Sequence, residues 1–448
     1  MNIGSVNNRT FKKLLANARP IGNLPPMNTD VTFIGKLPRY DPSKHKLMAA
    51  EELAEKWDWV TVYPTDTIDQ QAIKQLILKP PNQYKCGSCW AVSTASSISD
   101  CFLVSSPIGY NPHLSYTHML SCYQQGGCSG GNPAVAMNDA SREGLVSSNC
   151  QNDEWCAKNP QCSNTGGDLN GLIPSCKCNS SLGKKHKIYF TLEPSYIVSS
   201  SESPADISSV IHNVRSHIYT YGPVVGGFIV LSNLVGHPGK FTKSKGVYLD
   251  HVDYSDEKDS TPSSTYFLPT EADVLGGHAV SIMGWGYEDD VQYMNSDTKQ
   301  PQRGRVTYWL VRNSWGTTWG NGGYFKFATF PFNRASQFEI PVKGLGGFTT
   351  CKPGKIEDLQ ESALSKMFRG YGSDHLYRGD PIVNPDIGPK PQPNPSEGGA
   401  DDDTSDKLTA IKKTLGGGGG VSMVVTDTKI IVGVAIVCFL LLVFLLVY

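Results

Sequence analysis

A cysteine, a histidine and an asparagine, each in a distinctive setting, are the residues of this 448-residue chain whose chemistry could combine. The cysteine is Cys89, in the run Gln83-Tyr-Lys-Cys-Gly-Ser-Cys-Trp-Ala-Val-Ser93. The histidine is His278, in Gly276-Gly-His-Ala-Val280, and the asparagine is Asn313, in Tyr308-Trp-Leu-Val-Arg-Asn-Ser-Trp-Gly316. A thiolate attacks a carbonyl carbon, an imidazole returns a proton to the leaving amine, and a third group fixes the ring tautomer.

The thiol must sit where it ionises. After Ser88 the apolar residues Ala91, Ala95, Ile98 and Phe102 recur at steps of four, three and four, which predicts one face of a helix starting near Cys89. The first turn of a helix is the positive end of its dipole, and a nearby imidazolium lowers a thiol pKa further. Cys86-Gly-Ser-Cys89 also has the spacing of a dithiol redox motif, but that motif alone requires neither the histidine nor the asparagine. His278, taken singly in its apolar run, reads as a hydrogen-bonded core residue; the joint pattern overrides that reading.

These stretches resemble the nucleophile, histidine and asparagine segments of papain-like cysteine proteases. The resemblance covers about residues 55 to 345 and leans toward the cathepsin B and cathepsin X branches through Trp57-Asp-Trp-Val60 and Gly222-Pro-Val224. It implies an α+β fold with a helical lobe led by the Cys89 helix, a β-barrel-like lobe carrying His278 and Asn313, and the site between them. Cys89 would be the nucleophile, His278 the base, Asn313 the orienting amide, and Gln83 the side-chain donor to the tetrahedral oxyanion.

Cys128-Ser-Gly-Gly-Asn-Pro133 resembles the family loop whose glycines pair with substrate backbone, which makes Gly130 and Gly131 substrate-binding candidates; a Gly-Gly pair is otherwise an ordinary turn signal. Cys86 and Cys128 match a family disulfide. Counted without gaps from Asn313, Glu339 falls where cathepsin B has a glutamate at the base of its S2 pocket, a partner for substrate arginine. The alternative is an exposed strand glutamate, since Phe338 and Ile340 fit simple alternation. Trp315 and Trp319 are expected to pack over the His278–Asn313 pair. Cathepsin B owes its exopeptidase activity to a loop with paired histidines, and Cys156-Ala-Lys-Asn-Pro-Gln-Cys162 has none, so an open endopeptidase cleft is expected.

Composition agrees with an enzyme acting on polypeptides. Hydrophobic residues make up 39% of the chain, enough for a globular core, and a formal charge of −1 argues against nucleic acid as a partner. No cofactor or metal is implied. The spacings of Cys156, Cys162, Cys176 and Cys178 fit zinc poorly. With Cys122 and Cys150 they crowd the helical lobe as disulfide candidates, and disulfides are rare in the cytosol.

The domains read as residues 1–52, an N-terminal extension or prosegment; 53–350, the protease-like domain; 351–428, a flexible linker rich in Pro, Gly, Asp and Ser; and 429–448, a membrane anchor. Ile430 to Tyr448 carries no charge, and as a helix it would span about 28 Å, close to the thickness of a bilayer. The first thirty residues lack the apolar core of a secretory signal, and Lys412, Lys413 and Lys429 precede the apolar run. The expected topology is a single-pass tail anchor, with the protease on the cytosolic face or inside a membrane-containing particle. A papain-like domain so tethered resembles cysteine proteases of large DNA viruses such as iridoviruses. Three functions are therefore open: a membrane-anchored cysteine endopeptidase, a catalytically silent tethered protein on a protease fold, and a thiol-dependent acyl transferase.

Overall fold

The helix that begins at Cys89 is buried on every side, although its sequence marks only one apolar face. The computed structural model describes residues 37–357, apart from 106–110, 124, 158, 164–168, 178–186, 236–238, 255–266, 296 and 343–344. The expected anchor at Ile430–Tyr448 and most of the linker lie outside the described residues. Among the described residues no helix is long and apolar enough to cross a membrane.

In chain order the main elements are β1 (Trp57–Asp58), α1 (Ile68–Leu76), α2 (Cys89–Ser105), α3 (Tyr116–Cys122), α4 (Pro133–Glu143), β2 (Leu145–Val146), β3 (Lys187–Ile197) and α5 (Pro204–Tyr221). They continue with β4 (Val224–Leu231), β5 (Val247–Tyr248), β6 (Val274–Met294), β7 (Pro301–Arg312), β8 (Tyr324–Ala328) and β9 (Phe348–Glu357). The strands join in the order β2-β3-β9-β4-β6-β7-β8-β5, with β1 paired to β6.

Every residue of α2 from Cys89 to Leu103 is buried. Its hydroxyls tolerate this by bonding back along the helix: Ser93 donates to the Cys89 carbonyl, Thr94 to that of Trp90, and Ser99 to that of Ala95, each at 2.7 Å. Buried polar groups satisfied in this way add little penalty to the packing of the helix. Around α2 gather Met119, Met137, Leu145 and Val225 in one core, while Phe228, Ile282, Trp309 and Phe327 belong to a second core on the sheet. The expected division into a helical and a β-rich lobe is thus present.

The other helices start on chemically suited residues. Thr67 and Gln70 form a reciprocal capping box at α1, and Ser203 followed by Pro204 opens α5.

Gly284-Trp285-Gly286, whose glycines suggest a turn, lies inside β6, which runs through it with a register shift between Ile282 and Gly284. Glycine is needed at 284 because a Cβ there would lie 2.2 Å from the Cβ of Asp58 on β1. Residues 289–305, although polar, are largely the paired outer ends of β6 and β7. Past residue 350 the chain is still strand, since β9 pairs with β3 as far as Glu357. Pro353 and Gly354, which suggest a linker, sit where that pairing shifts register between Phe190 and Leu192, a place where proline is tolerated. Residues 37–53 pack on the domain: the Tyr40 N–H donates to the Tyr196 carbonyl and the Met48 N–H to Ser216 Oγ.

Candidate active site

Four elements converge on one site: the loop before α2 brings Gln83, the start of α2 brings Cys89, β6 brings His278, and the end of β7 brings Asn313. His278 and Asn313 are placed by strand register, because β6 and β7 pair Ser281 with Arg312. Nε2 of His278 lies 2.9 Å from Asn313 Oδ1. The same oxygen accepts from the Ser314 N–H at 2.8 Å, which identifies it as the amide oxygen. His278 Nε2 therefore donates, and Nδ1 is left as the basic nitrogen.

Cys89 is the first residue of α2 and is 1% exposed. Its sulfur meets the backbone N–H of Ala279, next to His278, and those of Cys89 and Trp90 at the helix start. Burial pushes the Cys89 thiol up to about 11 and these donors oppose it. Burial likewise drives His278 down to about 4, opposed by the bond to Asn313. Each isolated charge is penalised, whereas passing the thiol proton to the imidazole creates both charges together and each offsets the other's cost.

Aromatic rings close the imidazole off from water. Trp315 stacks on His278 with centroids 4.9 Å apart at 26°, and Trp319 meets Trp315 edge-on at 4.8 Å, as their positions predicted. Phe228, opposite His278 on β4, adds an edge contact at 5.7 Å that no sequence signal announced.

Gln83 is 1% exposed. Its N–H donates to the Ser314 carbonyl at 2.8 Å, Nε2 donates to the Cys86 carbonyl at 3.0 Å, and Oε1 accepts from Ser314 Oγ. The amide orientation is thus fixed, with one N–H of Nε2 left to donate elsewhere.

Gly130 and Gly131 follow Cys128, whose carbonyl accepts from the Gly87 N–H at 2.8 Å, so this loop lies against the nucleophile segment. A Cβ on Gly131 would come within 2.5 Å of the Trp90 indole, which explains the glycine without reference to any ligand. Cys86 and Cys128 form a disulfide, as do Cys122 and Cys176, and Cys156 and Cys162. Cys89, Cys101 and Cys351 are outside disulfides. Among the described residues no group of side chains could hold a metal ion.

Glu339 is neither an exposed strand residue nor a group open to the cleft. It is 0% exposed, lies in a bend between strands, and its carboxylate accepts from the Trp309 indole N–H at 2.7 Å and from the Phe338 N–H at 3.2 Å. Burial raises its pKa against these bonds. In this conformation the carboxylate is a core group.

The pairing beneath the site was also missed. Arg312, adjacent to Asn313, forms an ion pair with Asp100 of α2, the two side chains being 1% and 0% exposed. It ties the strand of the asparagine to the helix of the cysteine.

A two-lobed α+β fold with a buried thiol, imidazole and amide at its junction defines a thiol peptidase of the papain type. The family model described as papain family cysteine protease matches residues 64–239 and 256–338, and the chain belongs to that family. It is 34% identical over 414 residues to "Probable cysteine proteinase 024R" of Invertebrate iridescent virus 3, covering 83% of this chain and 82% of that one. To "Probable cysteine proteinase 361L" of Invertebrate iridescent virus 6 it is 33% identical over 398 residues, covering 78% and 73%. Among solved structures, procathepsin B S9 from Trypanosoma congolense aligns with a TM-score of 0.46 and 20% identity, over 79% of this chain and 91% of that one. The protein is a cysteine-type peptidase with viral relatives.

Proposed function

We propose that the chain is an endopeptidase in which Cys89 is the nucleophile, His278 the base, Asn313 the orienting amide and Gln83 an oxyanion donor. The observation that carries this reading is the shared Oδ1 of Asn313, which receives His278 Nε2 and the Ser314 N–H and so leaves Nδ1 as the proton acceptor. Nδ1 takes the Cys89 proton as sulfur attacks the scissile carbonyl carbon. The oxyanion forms against Gln83 Nε2–H and a backbone N–H at the start of α2. Collapse expels the amine, which takes the proton back from His278, and water hydrolyses the thioester by the same path in reverse. Gly130 and Gly131 would pair with substrate backbone, with Gly131 packed against Trp90.

Endopeptidase action is favoured because the Cys156–Cys162 loop is short and contains no histidine to bind a substrate carboxylate. Ile430–Tyr448 holds the enzyme on a bilayer, on the strength of nineteen uncharged residues in sequence.

The full-length protein should cleave an internally quenched peptide blocked at both ends, and Cys89→Ala should abolish this. An intact, folded wild type with no turnover under reducing conditions would leave the catalytically silent reading. Removal of 430–448 should shift the protein from the carbonate-resistant membrane fraction to the supernatant; unchanged partition would refute the anchor.

A further inference from the structure

A cavity of about 250 Å³ opens beside the loop that carries Gln83, and both neighbours of Gln83, Asn82 and Tyr84, line it. Tyr116, Asp153 and Glu154 form other walls. These groups converge, for the Tyr116 phenol lies within electrostatic reach of Asp153, Tyr84 and Glu154. Asp153 is anchored from the start of α3: Oδ1 accepts from Ser115 Oγ at 2.8 Å and from the Thr117 N–H at 3.0 Å. Its Oδ2 has His113 Nε2 at 3.9 Å, beyond direct hydrogen-bond distance, and the side chain keeps 12% of its surface open. Burial pushes this carboxyl up to about 6, so its ionised form is held at a cost that an incoming cation would relieve.

Carboxylates set between phenol faces suit a guanidinium, which bonds the oxygens through its planar fork and lies over the rings. We propose that this cavity is a subsite for an arginine side chain of the bound polypeptide, held by Asp153 and Glu154 between Tyr84 and Tyr116. The inference rests on the reading of Cys89 as an endopeptidase nucleophile. Because Asn82 and Tyr84 of the Gln83 loop form one wall, the arginine belongs to a stretch of polypeptide bound along that loop. Lys79 lines the same cavity and opposes the cation.

The test uses blocked peptides in which arginine and its neutral isostere citrulline are exchanged at each position in turn. Cleavage is read with the full-length enzyme, and binding with full-length Cys89→Ala, which needs no turnover. At one position the arginine peptide should bind, and be cleaved, about tenfold better than its citrulline partner, the factor expected of a single charged contact. Asp153→Asn and Glu154→Gln should each shrink that ratio, while Lys79→Gln should enlarge it. Lys79→Gln touches none of the Asp153 hydrogen bonds, so it reads the cavity even where Asp153→Asn folds poorly. Equal behaviour of the two peptides at every position would overturn the proposal, as would an arginine preference unmoved by Glu154→Gln and Lys79→Gln. Arginine-selective binding to Cys89→Ala without any cleavage by the wild type would support the subsite while refuting the endopeptidase reading.

Discussion

Ser314 donates its hydroxyl proton to Oε1 of Gln83, joining the loop after β7 to the loop before α2. The contact is reinforced by the Gln83 N–H on the Ser314 carbonyl at 2.8 Å. One residue thus orients two others: the backbone N–H of Ser314 fixes the Asn313 amide, and its hydroxyl fixes that of Gln83.

Gln83→Ala should therefore lower kcat by about 10²–10³ with KM little changed, the signature of a donor used only in the transition state. Ser314→Ala should cost less, since it frees Gln83 to rotate without removing it. Steady-state kinetics on one blocked peptide decides this. An equal rise in KM for both variants would show that Gln83 binds the ground state instead.

The burial shifts at the site make a separate claim. With burial and the opposing backbone donors together, the Cys89 thiol stands at about 11, so its reactivity at neutral pH depends on handing its proton to His278. In His278→Ala, alkylation of Cys89 by iodoacetamide at pH 7 should fall by at least ~10²-fold and recover only as pH rises toward that value. Wild type should stay reactive across pH 5 to 8. A His278→Ala variant alkylated as fast as wild type would show that the helix start alone ionises the thiol.

How much of this was legible depended on whether the cause was local. The Cys89 helix follows from the spacing of its apolar residues, and the two tryptophans over His278 and the lobe division from short stretches that resemble those of papain-like proteases. The Arg312–Asp100 pair could not be read, because a lysine-like surface residue and a buried one look alike in sequence until the register of β7 sets Arg312 against α2. Phe228 on His278 is likewise a cross-strand contact between residues fifty positions apart. The surroundings of Glu339 were hidden for the opposite reason: counting along the chain assumes equal loops, and the bend at residues 338–340 turns the carboxylate toward Trp309. Pro353-Gly354 reads as the start of the linker although β9 pairs with β3 through it, and the packing of residues 37–53 on the domain depends on partners far away in sequence.

The segment 37–53 carries its own pH dependence. Tyr40 stacks on His45 at 4.0 Å, and His217 and Tyr221 of α5 complete a ring cluster. Burial drives His217 to about 3, with His45 and Lys352 adding to the effect and the Cys351 carbonyl opposing it. His45 is also lowered, first by burial and then by Lys352, while Glu193, Asp41 and Lys44 act on it from around the cluster. Both imidazoles are more easily protonated unfolded than folded. Their contribution is thus intact above the unfolded value near 6.5, and is lost as pH falls from there toward the folded values. Hydrogen-exchange protection factors, corrected for the intrinsic rate at each pH, should fall at residues 38–52 between pH 6.5 and 4.5 ahead of α2, and His217→Phe should flatten that dependence. A uniform fall across both regions would show that acid acts on the domain as a whole.

Glu339 separates a specificity residue from a core one. Its carboxylate receives the Trp309 indole N–H and has no exposed surface, so a substrate guanidinium cannot reach it without displacing that bond. Glu339→Gln keeps an acceptor for Trp309 and should leave the ratio of kcat/KM for Arg-Arg and Phe-Arg peptides within about twofold of wild type, whereas loss of a buried ion pair with substrate would cost far more. Glu339→Ala should lower stability by roughly 1–3 kcal/mol in urea denaturation, because it strands a buried indole donor. If Glu339→Gln instead lost Arg-Arg cleavage selectively while unfolding at the same urea concentration as wild type, the carboxylate would have to swing into the cleft on binding, and the gapless count would hold.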